Sequence, residues 1–394
     1  MKRLIPALLS LLLFFTASAQ QRSTQQKSTQ QKTQQSKEIM YVGTYSVRGS
    51  QGIYAFTFDR AKRTFKPLQT VPGLESPNFL AIHPNHKFLY SVNSGKADVN
   101  DSEKGSVSAY GIDPKTGRLS GLNNRSSYGD GPCHITVDKN GQFVFISNYS
   151  QGNLIVLPLF DDGLLGTPSD AKRYVGTSVN VKRQDGPHVH STMISPDNKF
   201  LYVADLGTDK IYIYNFDETN GTLQPASTPE VNVTPGAGPR HMTWHPNGKF
   251  AYVVEELTST VGVYAVDKTT GAWTVVEDTV RSLPVTFKEQ NTSADIHVDP
   301  KGKFLYMSNR GLNALSIFSI SPTTGKLTFI GTQDVGGKTP RNFMMDPKGE
   351  FIFVANMDSD TIVTYRINPK TGKLTVVGKP LKVPSPVCLK MLTL

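Results

Sequence analysis

Beyond residue 38 the chain is written in short apolar runs. "FLYSVN" (88–93), "FVFISN" (143–148), "FLYVAD" (200–205), "FAYVVE" (250–255), "FLYMSN" (304–309) and "FIFVAN" (351–356) are compact and rich in aromatic and β-branched residues. Between them lie runs in which apolar and polar residues alternate, such as "GSVSAYGID", "DKIYIYNFD", "NALSIFSIS" and "DTIVTYRIN". Gly, Pro, Asn and Asp bound nearly every run. A period of two with turn residues at both ends predicts short strands. Nowhere do apolar positions recur at the helical spacing, so a helical solenoid has no support.

The runs repeat as units. A strand–turn–strand phrase recurs as "HPNHKFLYSVN" (83–93), "VDKNGQFVFISN" (137–148), "ISPDNKFLYVAD" (194–205), "HPNGKFAYVVEE" (245–256), "DPKGKFLYMSNR" (299–310) and "DPKGEFIFVAN" (346–356). Its phenylalanines, Phe88, Phe143, Phe200, Phe250, Phe304 and Phe351, are 47 to 57 residues apart. A second phrase alternates with it: "TGRLS" (116–120), "DGLLG" (162–166), "NGTLQ" (220–224), "TGAWT" (270–274) and "TGKLT" (324–328, 371–375), with "RTFKPL" (63–68) as a degenerate copy. Each unit holds four strands. A repeat of about 50 residues and four strands is a β-propeller blade. "MYVGTYS" (40–46) opens a unit without its first strand, and "SPVCLKMLTL" (385–394) supplies a first strand without its continuation. Pairing the two would close the ring and remove an exposed edge. The expected fold is all-β, a seven-bladed propeller of four antiparallel strands per blade.

The N-terminal residues have another character. Lys2 and Arg3, an apolar run from Leu4 to Phe15 and the small residues Ala17-Ser18-Ala19 have the anatomy of a secretory signal, with cleavage expected after Ala19. The stretch that follows, "QQRSTQQKSTQQKTQQSK", has no large apolar residue and reads as a disordered spacer. The expected organisation is a signal peptide over 1–19, a spacer over 20–38 and a propeller over 39–394, in a periplasmic or secreted protein. Of the formal net charge of +10, six positive charges lie at Lys2, Arg3, Arg22, Lys27, Lys32 and Lys37. So mild a balance on the remainder does not point to nucleic acid, and beyond the cleaved signal no membrane segment is expected. Only Cys133 and Cys388 occur. They fall in blades that are not adjacent, so both are expected as free thiols.

Within a blade, call the strands a to d from the axis outward. The a–b and c–d turns are short and uniform, and antiparallel alternation puts both on one face. The other face carries irregular loops, among them residues 94–105, 172–188 and 281–293, and a scaffold with variable loops on one side usually binds there. At that face the start of strand a meets the end of strand b. Strand a contributes Asn78, Cys133, His190, Arg240, Ala294 and Arg341, followed one residue later by Phe79, His134, Ser191, His241, Asp295 and Asn342. Strand b ends on Tyr45, Ser94, Tyr149, Leu206, Glu256, Arg310 and Met357. Arg240, Arg310 and Arg341 would thus ring one mouth with Glu256 and Asp295, a set suited to an anionic ligand because guanidinium forks match carboxylate and phosphate. A structural belt of ion pairs is the competing reading. "GPHVHS" places His188 and His190 two apart, hence on one strand face. As a metal site the pair lacks further ligands; as an acid or base His190 stands beside the arginines. No metal or cofactor is expected. Asn93, Asn148, Asp205, Asn309 and Asn356 end strand b in most blades and read as turn formers, as does Glu255 in the same place. Cys133 has no assigned base that would make it a nucleophile.

The repeated blade phrase, "YVGTY", "GPHVHS", "GPRHMTWHPNGKFAYVVEEL", "SNRG" and "PRNFMMDPKGEFIFVAN" resemble the seven-bladed propeller lactonases, which include bacterial 6-phosphogluconolactonase and the fungal carboxymuconate cyclase. The resemblance spans residues 39–394. It implies a metal-independent site of a His, an Arg, a Glu and a further Arg, which fall on His190, Arg240, Glu256 and Arg310. On that reading the chain hydrolyses a sugar-acid lactone as a carboxylic ester hydrolase. Glu256 and His190 handle the proton, Arg240 and Arg310 the anion, and Arg341, His188, His241, Asp295 and Asn342 help to bind. The partner is a small anionic lactone and the protein a monomer. Export sets the phosphorylated substrate against an unphosphorylated sugar lactone. The alternatives are an idle propeller that captures an acidic sugar or peptide, and a lactonising cyclase.

Overall fold

The computed structural model describes residues 37–98 and 100–394. The expected signal peptide and all but the last two residues of the expected spacer lie outside them. The first strand opens at Glu38, one residue before the expected boundary, because Glu38 already pairs with both Phe58 and Thr393.

The described residues form seven antiparallel sheets, six with their four strands in chain order from the inside out, one of which carries an added short strand, Leu381–Lys382, beside its strand c. Blades 1 to 6 run over residues 77–126, 132–173, 189–232, 239–281, 293–334 and 340–382. Blade 7 is composite. Its strand a is Pro386–Thr393, and strands b to d are Glu38–Thr44, Gly52–Asp59 and Thr64–Pro72. The register from Glu38↔Thr393 to Gly43↔Cys388 closes the ring as the two incomplete end phrases predicted. Both cysteines are free.

The two repeated phrases hold neighbouring blades together. The strand-b tyrosine of one blade passes its hydroxyl to the backbone carbonyl of the c–d turn glycine in the next. Tyr41 reaches Gly117 at 2.7 Å, Tyr90 Gly163 at 3.2 Å, Tyr202 Gly271 at 2.8 Å, Tyr252 Gly325 at 3.0 Å and Tyr306 Gly372 at 2.8 Å. These tyrosines are buried, so each bond satisfies two groups that water cannot reach. The glycine is needed twice over. At Gly325 φ is +73°, and a Cβ there would stand 2.6 Å from the Phe250 ring. The staple explains why "F-x-Y" and "T-G" recur together.

A second regularity shapes the mouth. In six blades one residue at the start of strand a has no partner on strand b: Asn78, Cys133, His190, Arg240, Arg341 and Val387. In blade 5 the shift lies between Ser293 and Ile296. Such a β-bulge re-aims the extra side chain. In five blades a residue with positive φ and then a proline precede it: Ser76-Pro77, Gly131-Pro132, Gly238-Pro239, Thr339-Pro340 and Ser385-Pro386. Proline suits the place because a strand start or a bulge forgoes the N–H that it lacks. Past the bulge the ladder resumes, with the residue after strand b donating back to the loop before strand a, as in Glu256 N to Gly238 O at 2.8 Å and Arg310 N to Thr292 O at 2.8 Å.

Candidate active site

Four of the six bulge residues border a cavity of about 370 Å³ on the loop-bearing face. Asn78, Cys133, His190 and Arg341 line it from strand a, and Tyr45, Ser94, Tyr149, Glu256 and Arg310 from the ends of strand b. Two sequence motifs far apart in the chain therefore meet at one mouth, and three of the four expected core residues, His190, Glu256 and Arg310, line it.

Glu256 is the hub. Its Oε2 accepts from Arg240 Nε at 2.9 Å and lies 3.0 Å from Arg310 Nη2, with His190 Nε2 at 4.0 Å. Its Oε1 accepts from Arg183 Nη2 at 2.6 Å. Burial opposes ionisation of the carboxyl, but Arg310, Arg240 and Arg183 outweigh it and hold the group at about 2. Glu256 is therefore a carboxylate at any working pH. His190 is driven well below its ordinary value by burial first and then by Arg240, so it is a neutral imidazole. Cys133 is pushed up to about 12 by burial, and its thiol donates to His190 O at 3.3 Å. It is a packing residue, not a nucleophile.

Arg341 differs from the other arginines. Among the described residues it has no carboxylate partner, and its guanidinium lies 5.4 Å from the centre of the Tyr45 ring. A cation that lines a cavity without an ion-pair partner of its own is the place for a ligand's anion.

Five expectations change. Arg240 does not line the cavity. It is 2% exposed, and its Nη1 is held by Ala294 O and by His241 Nε2 at 3.3 Å. It is a positioning residue that fixes Glu256 from below. His241, Asp295 and Asn342 do not reach the mouth either. The residue after each bulge turns the other way, and these three line a separate chamber of about 540 Å³ together with Phe79, His134 and Ser191. There Asp295 accepts from His241 Nδ1 at 2.8 Å, Asn342 Nδ2 at 2.5 Å and Phe343 N at 3.2 Å, with His297 Nε2 at 3.1 Å. Asn342 Oδ1 in turn accepts from Leu389 N at 2.8 Å. The network ties blades 4 to 7 and leaves His241 Nε2 as the acceptor that Arg240 needs. His188 is the fifth. It precedes the strand, and the bulge at His190 breaks the alternation that would have put both imidazoles on one face. His188 instead stacks on Tyr149 at 4.4 Å and donates from Nδ1 to Tyr149 O at 3.0 Å.

Arg183, Tyr45 and Tyr149 were not singled out from the sequence. Tyr45 and Tyr149 occupy the strand-b ring positions and were visible there. Arg183 lies in the irregular loop 174–188, where the adjacent basic residues Lys182 and Arg183 beside "GPHVHS" were the one available signal. The expected turn formers are structural: Asn148 Nδ2 donates to Ser127 O at 2.9 Å and Asn356 Nδ2 to Val335 O at 2.8 Å. Glu255 takes the Thr260 hydroxyl on the far side of the strand from Glu256. Among the described residues no group of three or more His, Cys, Asp or Glu is arranged to hold a metal ion.

Comparison with known proteins gives this geometry a context. The chain is 34% identical over 357 residues to the 6-phosphogluconolactonase of Bacillus subtilis, covering 91% of this chain and 99% of that one. It is 33% identical to the 6-phosphogluconolactonase of Formosa agariphila over 77% of this chain and 85% of the relative. Its fold superimposes on the periplasmic gluconolactonase of Pseudomonas aeruginosa with a TM-score of 0.83 at 31% identity, covering 90% of this chain and 99% of that structure. The family model described as "Lactonase, 7-bladed beta-propeller" matches residues 39–391, and the chain belongs to that family.

Proposed function

We propose that the protein is a lactonase that opens a sugar-acid lactone at the mouth cavity. One observation carries the assignment of the site: the cavity gathers an ionised carboxylate, a neutral imidazole and three arginines, Arg183, Arg310 and Arg341, of which Arg341 makes no ion pair within the described residues. Hydrolysis of a lactone needs a base for water and donors for the oxyanion that develops on the carbonyl oxygen. Glu256 takes the proton of the attacking water, and neutral His190, whose Nε2 faces it, relays a proton toward the ring oxygen as the C–O bond breaks. Arg310 and Arg341 face the cavity and hold the developing oxyanion and then the product carboxylate. Arg240 keeps Glu256 in place.

The substrate is a gluconolactone type of ester, phosphorylated or not. The anatomy of residues 1–19 and the likeness to a periplasmic gluconolactonase support an exported enzyme acting on an unphosphorylated or otherwise anionic sugar lactone. Every residue given a role lies in one chain, so a monomer suffices. A pH-stat assay on glucono-1,5-lactone and its 6-phosphate tests the reading. Proton release well above the spontaneous rate is expected for at least one of them; saturable binding without proton release makes the protein a capture scaffold instead.

A further inference from the structure

Arg183 differs in kind from the other arginines on Glu256. Arg240 and Arg310 come from the propeller strands and converge on Oε2, whereas Arg183 comes from the loop 174–188 and alone covers Oε1. Its side chain is 38% exposed where that of Arg240 is 3%, so it stands at the outer end of the cavity that it helps to line. Only Nη2 is engaged, with Glu256 and with the Tyr149 hydroxyl at 3.3 Å. Its Nε and Nη1 have no hydrogen-bond partner among the described residues, so turning the head away from Glu256 would free a whole Nε/Nη2 or Nη1/Nη2 fork.

The loop presents this side chain by construction. Gln184, the next residue, is fully buried. It donates to Leu206 O at 2.9 Å, and its side-chain oxygen accepts from Asn180 N at 3.0 Å. Ser178 Oγ donates to Asp209 at 2.5 Å, and His188 N donates to Asp205 at 2.6 Å. A backbone pinned on both sides of an arginine whose own head is half free has the design of a reader, with the stem fixed and the fork able to turn.

We propose that Arg183 reads a second anionic group on the substrate, a phosphate or a carboxylate remote from the lactone bond, and that in turning to it Arg183 uncovers Glu256 Oε1 for the attacking water. The inference rests on the lactonase reading for the identity of the deep site. It gives the second anion two effects at once. It adds a charge-assisted bond at the entrance, and it removes one of three cations from the carboxylate, leaving Arg240, Arg310, His190 and the more distant Arg341 around it. A carboxylate relieved of one guanidinium is a stronger base, so anionic lactones are preferred in rate as well as in affinity.

The test separates this from the lactonase reading by using ring-opened acids, whose binding needs no turnover. Isothermal titration calorimetry of the wild type with gluconate, 6-phosphogluconate and glucarate is expected to show one or both of the acids with a second anionic group bound at least about tenfold more tightly than gluconate; which of the two benefits tells phosphate from carboxylate. In Arg183→Gln that advantage falls to within about threefold, and in Arg183→Lys, which keeps the charge without the fork, an intermediate advantage survives. An equal loss for all three acids in Arg183→Gln overturns the proposal, since Arg183 would then act through Glu256 alone. So does a wild type that favours neither 6-phosphogluconate nor glucarate over gluconate. Absence of lactone turnover, by contrast, overturns the lactonase reading and leaves these ratios to be read on their own.

Discussion

Replacing Glu256 by Gln tests the hub of the mouth, and its expected cost can be worked out from the structure. The substitution keeps the shape of the side chain but presents an amide N–H₂ where Arg183 or the Arg240–Arg310 pair now find a carboxylate oxygen. Breaking one side of a buried ion pair costs about 3–5 kcal/mol. Proton linkage gives a similar figure. A carboxyl moved from 4.5 in the unfolded chain to about 2 in the fold contributes roughly 3 kcal/mol at neutral pH, at about 1.4 kcal/mol per pH unit. Because the folded value is depressed, that stability is present above pH 4.5 and disappears as pH falls toward 2. Chemical denaturation at pH 7 should therefore show Glu256→Gln less stable by about 3 kcal/mol, equivalent to a fall in Tm of about 4 °C for a domain of this size, and near pH 3 the gap should narrow. The folded variant should lose about 10²–10⁴ in kcat, with a much smaller change in KM. A folded variant with kcat within tenfold of wild type refutes the role of Glu256 as base, and a stability gap that does not depend on pH refutes the electrostatic account of the hub.

Other consequences can be measured alongside. Arg341→Gln should raise KM for an anionic lactone by about tenfold or more, the worth of one charge-assisted contact, and should leave Tm near wild type because no ion pair within the described residues is broken. Glu255 is raised by burial to about 8, so its folded form holds a proton that the unfolded chain releases above pH 4.5, and stability falls as pH rises from 4.5 to 8; Glu255→Gln should be near neutral at pH 5 and stabilising at pH 9, by at most roughly 5 kcal/mol, as read by urea denaturation. Tyr252→Phe removes one interblade staple and should cost about 1 kcal/mol, whereas Gly325→Ala meets both a positive φ and the Phe250 ring and should cost more, about 2 kcal/mol or above. Asp295→Asn should lower kcat through Arg240 and be rescued little by pH, because Asp295 is held ionised, well below its ordinary value, against its burial by His297 and His241.

Much of this architecture is written in the chain because it is written seven times. Turn residues and alternation recur with each blade, so the blade count and the closure of residues 38–44 with 386–393 could be read from two truncated end phrases. Which strand residues gather at the mouth was legible too, since antiparallel pairing alone brings the start of strand a to the end of strand b. The phase of the side chains was not. A bulge adds one residue, and one residue reverses the face, which is why His241, Asp295 and Asn342 lie in the opposite chamber and His188 parts from His190. The recurrent Pro77, Pro132, Pro239, Pro340 and Pro386 marked the bulges, but a proline at a strand start reads equally as a boundary. Arg183 lay beyond reach for another reason: its loop has no counterpart in the other blades, so no repeat fixed its register, and only Gln184 and its neighbours in space bring it back to Glu256.

The claim on which the account turns is that the lactone is opened at the loop-bearing mouth and not in the larger chamber behind it. A crystal structure of the protein soaked with gluconate, the ring-opened product, tests it most directly. The product carboxylate should lie in the cavity of His190, Glu256, Arg310 and Arg341, bonded to one or both arginines. Density for gluconate beside His241, Asp295 and His297, with the mouth holding none, would contradict the account.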